Sequence, residues 1–593
     1  MRKSGKVMTW MTVMAMSASI CACDLIIPGN TEPSSDIESD VSTSSESTTD
    51  TVELTMFAAM RGSEKNEDND IMELIAEKTG VRVKETWLPE NKDPSEAINK
   101  LIKSSDGLPD LINGGDGSVT LYENGFLVAW DEYLEKYPNL KEMYTDAEWD
   151  KFRMEDGHIY WANVFGNHYQ KDTATEHNGY AFWIQVRVLE EYGYPEIKTL
   201  DEYFDILERY AADHPELPNG TAVIPYTCLC EDWKYYCLES APQYLDGYPN
   251  NGNCIVNIDD GIMNPKVIDY NTTPTAERYF RKLNEEYQKG VIDQDFATMT
   301  YDEYIAELST GRVLGMADQY WDFAYSVAGP FAEPRIYEDG STYTLTELGC
   351  DYVPLGLTID PGMTNQYYTY GDEINQSYGI AVTTSCEDPD LAFAFLNALL
   401  DQDIHDLRFW GIEGVDYLVD ETTGLYYRTE EMRVNWADPD YLAAHTCEYS
   451  YMPQWLGMSR DGINRMQPLE QPSEYLATLP EPVSRCLSAY GANNYVDMLG
   501  SEEIYEDDMP WYSTWSWSDN MGTATPGEIA WKEMGDAKHK WLPEVVMSDD
   551  FDATWAEYME EYNAADPQAF IDETQADVND RLEHAVERGW TPG

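Results

Sequence analysis

The residues best suited to chemistry in this sequence are its aromatic side chains. The chain has 43 Tyr and 18 Trp but only 15 Phe, so most of its rings combine a flat apolar face with a polar edge. Such rings stack on the C–H face of a sugar, and the sugar hydroxyls are then met by carboxylates, amides and arginine. The composition therefore favours a surface that binds a polar, ring-shaped ligand.

Sequence patterns for catalysis do not accompany these rings. The chain has no G-x-S-x-G, H-E-x-x-H or phosphate-loop pattern, and its eight His show no metal-ligand spacing. A carboxylate pair for glycoside hydrolysis remains an alternative. With 110 Asp and Glu, however, some pair is always close, so finding one carries little information. We expect a protein that is not an enzyme and that needs neither a cofactor nor a metal.

The net charge argues against two further classes of function. The chain carries 38 Lys and Arg against 110 Asp and Glu, a formal charge of −72. This charge excludes a protein that binds nucleic acid by neutralising phosphates, and it opposes docking on an anionic bilayer through a basic face. We interpret the acids as a solvated surface that keeps the protein soluble. The alternative is that acid-rich walls of a binding cleft select a cationic ligand.

The N-terminus is typical of an exported protein. A basic start at residues 2–6 precedes an uncharged apolar run over 7–22, which fits a signal-peptide core and is short for a membrane-spanning helix. The run ends Ile20-Cys21-Ala22-Cys23, which resembles the lipobox of bacterial lipoproteins. We therefore expect a signal peptide at 1–22 and lipidation of Cys23; an ordinary secretory signal with incidental cysteines is the alternative.

The segment after the signal peptide predicts a tether. Residues 23–51 are dense in Ser, Thr, Asp and Glu, so they cannot bury enough apolar surface to fold. A disordered tether behind a lipid anchor would hold a globular body at the extracellular face of the cell membrane.

Eight cysteines remain in that body, and four of them lie within 228–254. Export permits disulfides, so one local disulfide and plain buried thiols are both open. The spacing is poor for zinc, because no His supports it.

Apolar periodicity predicts that the body is α/β. Residues 52–57 alternate like a strand, 70–79 form a helix that Gly80 ends, and 81–84 form a second strand. This β-α-β opening favours a parallel sheet. Thr199 and Glu202 are spaced as a capping box. Further predicted elements are helices over 96–104, 200–212, 389–399, 554–563 and 568–587, and a short strand at 111–112.

Seven short segments carry a family resemblance, in order, over roughly residues 50–590. They are 75–81 (IAEKTGV), 106–111 (DGLPDL), 156–160 (DGHIY), 195–202 with the capping box, 311–316 (GRVLGM) followed by Trp321, 388–396 beginning with Asp-Pro, and 411–417 (GIEGVDY). In these segments the chain resembles the extracellular solute-binding proteins of ABC importers, and among them the carbohydrate-type, LplA-like lipoproteins.

The resemblance implies an α/β, two-lobed, periplasmic-binding-protein-like (type II) fold with a central ligand cleft and a hinge. It places one lobe at 52–180 plus 375–450 and the other at 181–374 plus 451–593, joined by three crossings of the chain. It also implies a monomer that closes on its ligand and delivers it to ABC permease subunits. The calcium loop of many members is replaced here by 213–220, which lacks the alternating oxygen ligands.

Aromatic candidates for ligand binding follow from family position. Trp321 is the foremost, because the family places a ligand-stacking Trp just after the Gly-Met strand, and Tyr320 is its neighbour. Trp183 opens the crossing into the second lobe, Trp233 lies in the Cys-rich segment, and Trp455 lies near the third crossing. Burial in the core is the alternative for each tryptophan.

Polar candidates follow from the ends of predicted strands, because loops at the carboxyl ends of strands face the ligand in open α/β sheets. Arg61 and Glu64 follow the first strand, and Asp116 follows the strand at 111–112. The resulting expectation is a lipid-anchored protein that captures an oligosaccharide for an ABC permease. A binder of peptides or other amphiphiles on the same scaffold is the alternative, and a cell-surface glycoside hydrolase is a further one.

Overall fold

Two α/β lobes make up the described part of the chain. The computed structural model describes residues 51–591 except 61, 63–64, 89–93, 105–106, 155, 249–253, 338–339, 369–375, 377, 502–508, 512–524 and 588–589. The expected signal peptide, the tether up to residue 50, and the candidates Cys23, Arg61 and Glu64 therefore lie outside the described residues.

The strands are numbered in chain order. They are β1 Val52–Ala58, β2 Val81–Trp87, β3 Leu111–Asn113, β4 His168–Tyr169, β5 Tyr180–Gln185, β6 Ile224–Thr227, β7 Ile255–Asn257, β8 Lys266–Ile268, β9 Val313–Gln319, β10 Arg335–Ile336, β11 Thr342–Tyr343, β12 Tyr352–Leu355, β13 Ile380–Val382, β14 Leu418–Val419, β15 Tyr426–Tyr427 and β16 Leu456–Gly457.

The α-helices are numbered in the same way. They are α1 Asp70–Thr79, α2 Pro94–Ile102, α3 Ser118–Glu123, α4 Asp131–Lys136, α5 Pro138–Glu142, α6 Asp146–Lys151, α7 Val186–Glu191, α8 Leu200–Asp213, α9 Tyr236–Glu239, α10 Ala241–Leu245, α11 Pro274–Gln288, α12 Tyr301–Leu308, α13 Tyr320–Ala332, α14 Pro389–Ala398, α15 Gln402–Phe409, α16 Glu430–Asn435, α17 Pro439–His445, α18 Pro472–Thr478, α19 Glu481–Tyr490, α20 Tyr495–Leu499, α21 Pro526–Met547, α22 Phe551–Ala564 and α23 Pro567–Glu587.

The sheet of the first lobe has the strand order β13-β3-β1-β2. β1 pairs in parallel with β2 and β3, and β13 pairs antiparallel with β3. Helix α1 begins where the Asn69 side chain accepts from the Met72 N–H at 3.0 Å, and it ends at Gly80, whose φ of 74° is in the left-handed region that glycine favours. The predicted parallel β-α-β opening is confirmed.

The sheet of the second lobe has the strand order β12-β5-β9-β6. β6 runs parallel to β9, whereas β5 is antiparallel to both β9 and β12. All six residues of β5 are buried, as expected for a central strand covered on both faces. Helix α8 begins at the predicted capping box, in which Thr199 Oγ1 accepts from the Glu202 N–H and Glu202 accepts from the Thr199 N–H.

Each lobe has its own hydrophobic core, and the chain passes between the two cores three times. The passages lie between Val164 and Tyr180, between Tyr367 and Tyr378, and between Met466 and Tyr475. The lobe boundaries expected from the sequence remain a proposal that these cores support, with one difference: residues 451–466 pack with the first core, although the expectation assigned them to the second lobe.

Hydrogen bonds tie the three passages together. β4, from the first passage, pairs in parallel with β16, which leads into the third. Thr175 Oγ1 donates to the Leu469 carbonyl at 2.7 Å, and the Tyr368 hydroxyl donates to Asp172 Oδ2 at 2.8 Å. These bonds make the junction of the lobes a defined structure rather than three independent linkers.

A buried carboxylate lies at this junction. Glu470 is 6 % exposed, and its two oxygens accept from the Gly457 N–H at 2.9 and 3.0 Å. Burial raises the pKa of Glu470 to about 7, although His168 and the Gly457 N–H act to lower it.

The eight described cysteines, Cys228, Cys230, Cys237, Cys254, Cys350, Cys386, Cys447 and Cys486, are all buried, and no disulfide joins any two of them. This agrees with the buried-thiol alternative rather than with a disulfide. Among the helices of the described residues, none combines the length and apolar composition that crossing a bilayer requires.

Candidate ligand-binding cleft

The strand pairing shows which edge of each sheet lies at the junction of the lobes. β5 begins, just after the first passage, with Tyr180 paired to Gln319 at the carboxyl end of β9. β13 begins, just after the second passage, with Ile380 paired to Asn113 at the carboxyl end of β3. Both sheets thus turn the carboxyl ends of their parallel strands toward the junction, which is where open α/β sheets bind ligands.

Trp321 lies on the second-lobe side of this cleft, in the first turn of α13 directly after β9. The ring is half-buried, its Nε1–H donates to Gln319 Oε1, and the Tyr236 ring is tilted against it at 6.3 Å between centroids. The rest of the side chain is therefore held in place by polar and aromatic neighbours while part of the ring stays accessible. This is the arrangement that a sugar-stacking ring needs.

A cation fixes the surroundings of Trp321. The loop after β6 brings Lys234 Nζ to 5.1 Å from the Trp321 ring centroid and 4.1 Å from that of Tyr301, and Lys234 also forms an ion pair with Asp322. The Tyr301 hydroxyl donates to the Asp322 carbonyl at 2.6 Å. The wall around Trp321 is thus crosslinked between β6, α12 and α13.

A buried acid, Asp318, connects the side chains behind this wall through hydrogen bonds. Asp318 is fully buried, and it accepts from the Tyr304 hydroxyl at 2.7 Å, the Tyr236 hydroxyl at 3.3 Å and Cys237 Sγ at 3.2 Å. Burial, and then the charge of Asp322, raise the pKa of Asp318 to about 7. The carboxylate therefore acts as the acceptor that positions the Tyr236 ring beside Trp321.

The same region contains a group of side chains at metal-binding distances. The ligand atoms of Cys237, Asp318 and Asp322 all lie within 4.8 Å of one another. Three donors already converge on Asp318, and Lys234 neutralises Asp322. The group is also buried, so a metal would have to displace these partners. We interpret it as a hydrogen-bonded support.

The floor of the cleft carries Tyr320 and Glu176. The half-buried Tyr320 ring stacks on the buried Trp183 ring at 5.1 Å with an interplanar angle of 27°. Glu176, in the first passage, is half-buried, and burial raises its pKa to about 7. The charge of Glu176 contributes, after burial, to raising the pKa of Tyr320, so the two polar groups lie near each other.

The first lobe presents polar and aromatic groups at the carboxyl end of β2. The half-buried Trp87 ring lies against Gly62, where an added Cβ would come within 2.1 Å of its Nε1, so only glycine fits. Two residues earlier, Glu85 is half-buried, and burial raises its pKa to about 7 while Lys65 and Arg408 act to lower it. Trp87 thus gives this lobe an aromatic counterpart to Trp321.

The structure brings some of the predicted site residues together and separates others. Trp321 and Tyr320 are adjacent and accessible. Trp183 is 0 % exposed in β5, and its Nε1–H donates to the Asp318 carbonyl at 2.9 Å. Trp455 is 2 % exposed and packs against Tyr169. Both rings pack in the cores, which supports the alternative of burial, and a ligand contact of Trp183 or Trp455 stays a prediction.

The remaining predicted residues are described only in part. Trp233 lies in a 3-10 turn over Asp232–Tyr235 and Asp116 in one over Gly115–Gly117, directly after β3, but their side chains are outside the described part of the structure. Arg61 and Glu64 are outside it entirely. For these four residues a role in binding stays a prediction.

Sequence reasoning missed Trp87, Glu176 and Lys234. Trp87 had a usable signal, because it ends a strand of the opening β-α-β unit and such ends face the ligand. Lys234 had a weaker one, as a cation beside Trp233 in an acidic chain. Glu176 had none, because it lies in an irregular passage whose course is set by contacts with residues about 300 positions away.

Comparison with known proteins identifies the fold. No sequence-family profile and no curated protein matches the chain. An HMO-binding solute-binding protein associated with an ABC transporter, from Bifidobacterium longum infantis, matches 89 % of this chain and 99 % of its own at 14 % identity, with a TM-score of 0.59. The S. pneumoniae ABC-transporter substrate-binding protein FusA, solved with kestose, aligns with 91 % of this chain and over 100 % of its own length. The sequence identity is 17 % and the TM-score is 0.57.

A third solved structure extends the likeness. The alginate-binding protein AlgQ2, solved without calcium ion, matches 90 % of this chain and 99 % of its own at 14 % identity, with a TM-score of 0.54. At such identities the likeness establishes the fold, and function has to be argued from the site. The chain has the two-lobed, type II-like α/β fold of these solute-binding proteins, as the sequence predicted.

Proposed function

We propose that this chain is an extracellular solute-binding protein that captures an oligosaccharide and delivers it to an ABC permease. One observation carries the proposal: Trp321 is held, half-accessible, at the carboxyl end of β9 beside the junction of two lobes. The fold supports it, because the solved proteins that share the fold are described as binding HMO, kestose and alginate.

Binding on this scaffold requires no covalent chemistry. A sugar ring stacks its C–H face on Trp321, and its hydroxyls meet Gln319 and the acids at the cleft floor. Trp87 on the first lobe contacts the other side of the ligand when the lobes close about the three passages. A ligand that touches both lobes stabilises the closed form because it binds that form better.

The setting of the protein is part of the proposal. Lipidation of Cys23 and the acidic tether over 23–51 hold the body at the extracellular face of the cell membrane, where a monomer meets both its ligand and the permease. The high negative charge of the chain supports a solvated, monomeric body.

Ligand-dependent thermal unfolding tests the proposal. The chain without residues 1–23 is heated in the presence of neutral glycans, amino sugars and peptides, one at a time. A glycan at 100 times its Kd should add about 2.7 kcal/mol to the free energy of unfolding. Stabilisation by peptides alone would favour the peptide-binding alternative, and release of sugar from an intact glycan would favour a hydrolase. Stabilisation by no glycan would refute the proposal.

A further inference from the structure

Tyr325 is the most exposed aromatic side chain among the described residues. It is 65 % exposed, and the next, Tyr427, is 37 % exposed. A single exposed ring is normal on a protein surface, so the place of Tyr325 in the fold decides whether the ring has a function. That place is helix α13, which begins at the carboxyl end of β9 and carries Trp321 in its first turn.

Tyr325 shares a face of α13 with Trp321. The two residues are four positions apart, and residues at this spacing are neighbours on a helix surface. Side chains on a helix lean toward its N-terminus, which in α13 is the end beside the cleft. The Tyr325 ring therefore leans back toward Trp321 from a backbone position about 6 Å further along the helix axis. This distance is close to the length of one sugar residue in a chain.

Tyr301 connects the two rings. Its hydroxyl lies 3.4 Å from the Tyr325 hydroxyl, and it donates to the carbonyl of Asp322, the residue after Trp321, at 2.6 Å. Lys234 Nζ lies 4.1 Å from the Tyr301 ring centroid and 5.1 Å from that of Trp321. The wall around Trp321 thus extends through Tyr301 to Tyr325.

The Tyr325 hydroxyl retains capacity for a ligand. Its oxygen is 3.4 Å from that of Tyr301, longer than the roughly 2.5–3.0 Å of an O–H···O hydrogen bond, and the Tyr301 O–H donates to Asp322. A hydroxyl offers one donor and two acceptor sites. Tyr325 thus offers a sugar both an exposed ring face and a polar edge, which is the combination that sugar recognition uses.

We propose that Tyr325, with the Tyr301 hydroxyl, forms a subsite for a second sugar residue, next to the residue that stacks on Trp321. Two ring faces about one helical turn apart suit successive residues of a glycan, whereas a single small solute would cover only one of them. This inference rests on the proposed function and adds to it the length of the ligand: the affinity should increase when the glycan becomes long enough to reach Tyr325.

Glycans of increasing length test the subsite. Four series, each of one to four residues, are titrated calorimetrically into the chain without residues 1–23: β-1,4-linked and α-1,4-linked gluco-oligosaccharides, β-1,4-linked xylo-oligosaccharides and fructo-oligosaccharides. Stacking needs only a flat C–H face, so we expect at least one series to bind. Within that series, the Kd should fall by about tenfold when a residue reaches Tyr325, which is the effect of one further stacked ring.

Three variants assign this gain in affinity to Tyr325. Tyr325→Ala should remove about tenfold of the gain between one and four residues, whereas Tyr325→Phe keeps the ring face and should lose less than about threefold. Tyr192→Ala is the control and should leave the gain intact, because Tyr192 follows α7 beyond the carboxyl end of β5, at the opposite edge of the sheet. Each gain is a ratio of two Kd values from one preparation, so a partly unfolded variant does not alter it.

The remaining results contradict the subsite. Affinity that does not rise with length in any series that binds overturns it, as does a gain that persists in Tyr325→Ala or one that Tyr192→Ala removes equally. If none of the four series binds while another glycan stabilises the chain, the subsite is overturned and the proposed function stands. If no glycan binds at all, the proposed function itself fails.

Discussion

Replacing Trp321 by Ala should weaken ligand binding, and the structure allows the size of this effect to be worked out. The ring is half-buried in the first turn of α13, where its indole N–H donates to Gln319 and the Tyr236 ring and Lys234 lie beside it. Its loss therefore removes a ligand contact without opening the core, where Trp183 and Phe323 remain packed together.

The expected loss of affinity follows from two terms. Covering about 40 Å² of a sugar's apolar face at ~25 cal/mol per Å² contributes roughly 1 kcal/mol. Specific ring geometry adds about 0.5–1.5 kcal/mol. The sum, about 2 kcal/mol, corresponds to a roughly 30-fold rise in Kd. Trp321→Phe keeps a stacking face and should cost less than about fivefold.

The assay is calorimetric titration of the glycan that stabilises the chain most, with thermal unfolding of each variant as a folding check. Trp541→Ala serves as a control, because Trp541 is also half-buried but donates to Glu561 on the C-terminal helices. An unchanged Kd in Trp321→Ala, with the variant folded, would remove Trp321 from the site. An equal loss in Trp541→Ala would show that the effect is general.

Three further predictions concern the fold. Burial raises the pKa of Glu470 from 4.5 to about 7, so its protonated form stabilises the folded state fully below pH 4.5, and this contribution is lost as the pH rises through about 7. The urea midpoint should thus fall less between pH 5 and 8 in Glu470→Gln than in wild type. An equal fall of the urea midpoint in the two proteins would contradict this. Iodoacetamide should modify the eight buried cysteines only in denaturant. Modification of these cysteines in the native chain would contradict the structure. So would an intact mass that is lower by the hydrogens lost in forming disulfides. Thr199→Ala should lower the free energy of unfolding by about 1 kcal/mol, because it removes the hydroxyl that accepts from the Glu202 N–H. Thr199→Ser keeps that hydroxyl and should therefore lose much less. Equal losses of the two variants in urea melts would refute that reasoning.

Local signals made much of the fold predictable. The strand, helix and glycine over 52–80 are specified by alternation, by helical spacing and by the need for a left-handed residue at the end of α1, and Thr199 with Glu202 specifies a helix start. Helix α21 begins at a similar signal, Thr525 followed by Pro526 and Glu528, but Gly527, Gly535 and Pro543 interrupt the apolar pattern of its body. Packing of α21 against the other C-terminal helices has to override those interruptions.

The candidate site was less predictable, because residue type does not determine accessibility. Trp183 and Trp321 are both tryptophans close to the same cleft, yet one lies inside a strand covered on both faces and the other just past the end of a strand. Glu176 lies in an irregular passage that is fixed by a much later part of the chain, because the Tyr495 N–H donates to the neighbouring Thr175 carbonyl. Such contacts exist only after the lobes have folded.

A crystal structure of the chain with its most stabilising glycan tests the central claim most directly. We expect a sugar ring stacked on Trp321 and a ligand in contact with both lobes, with the lobes closed about the three passages. A glycan bound on an outer face of either lobe, or one that leaves Trp321 uncovered, would contradict it.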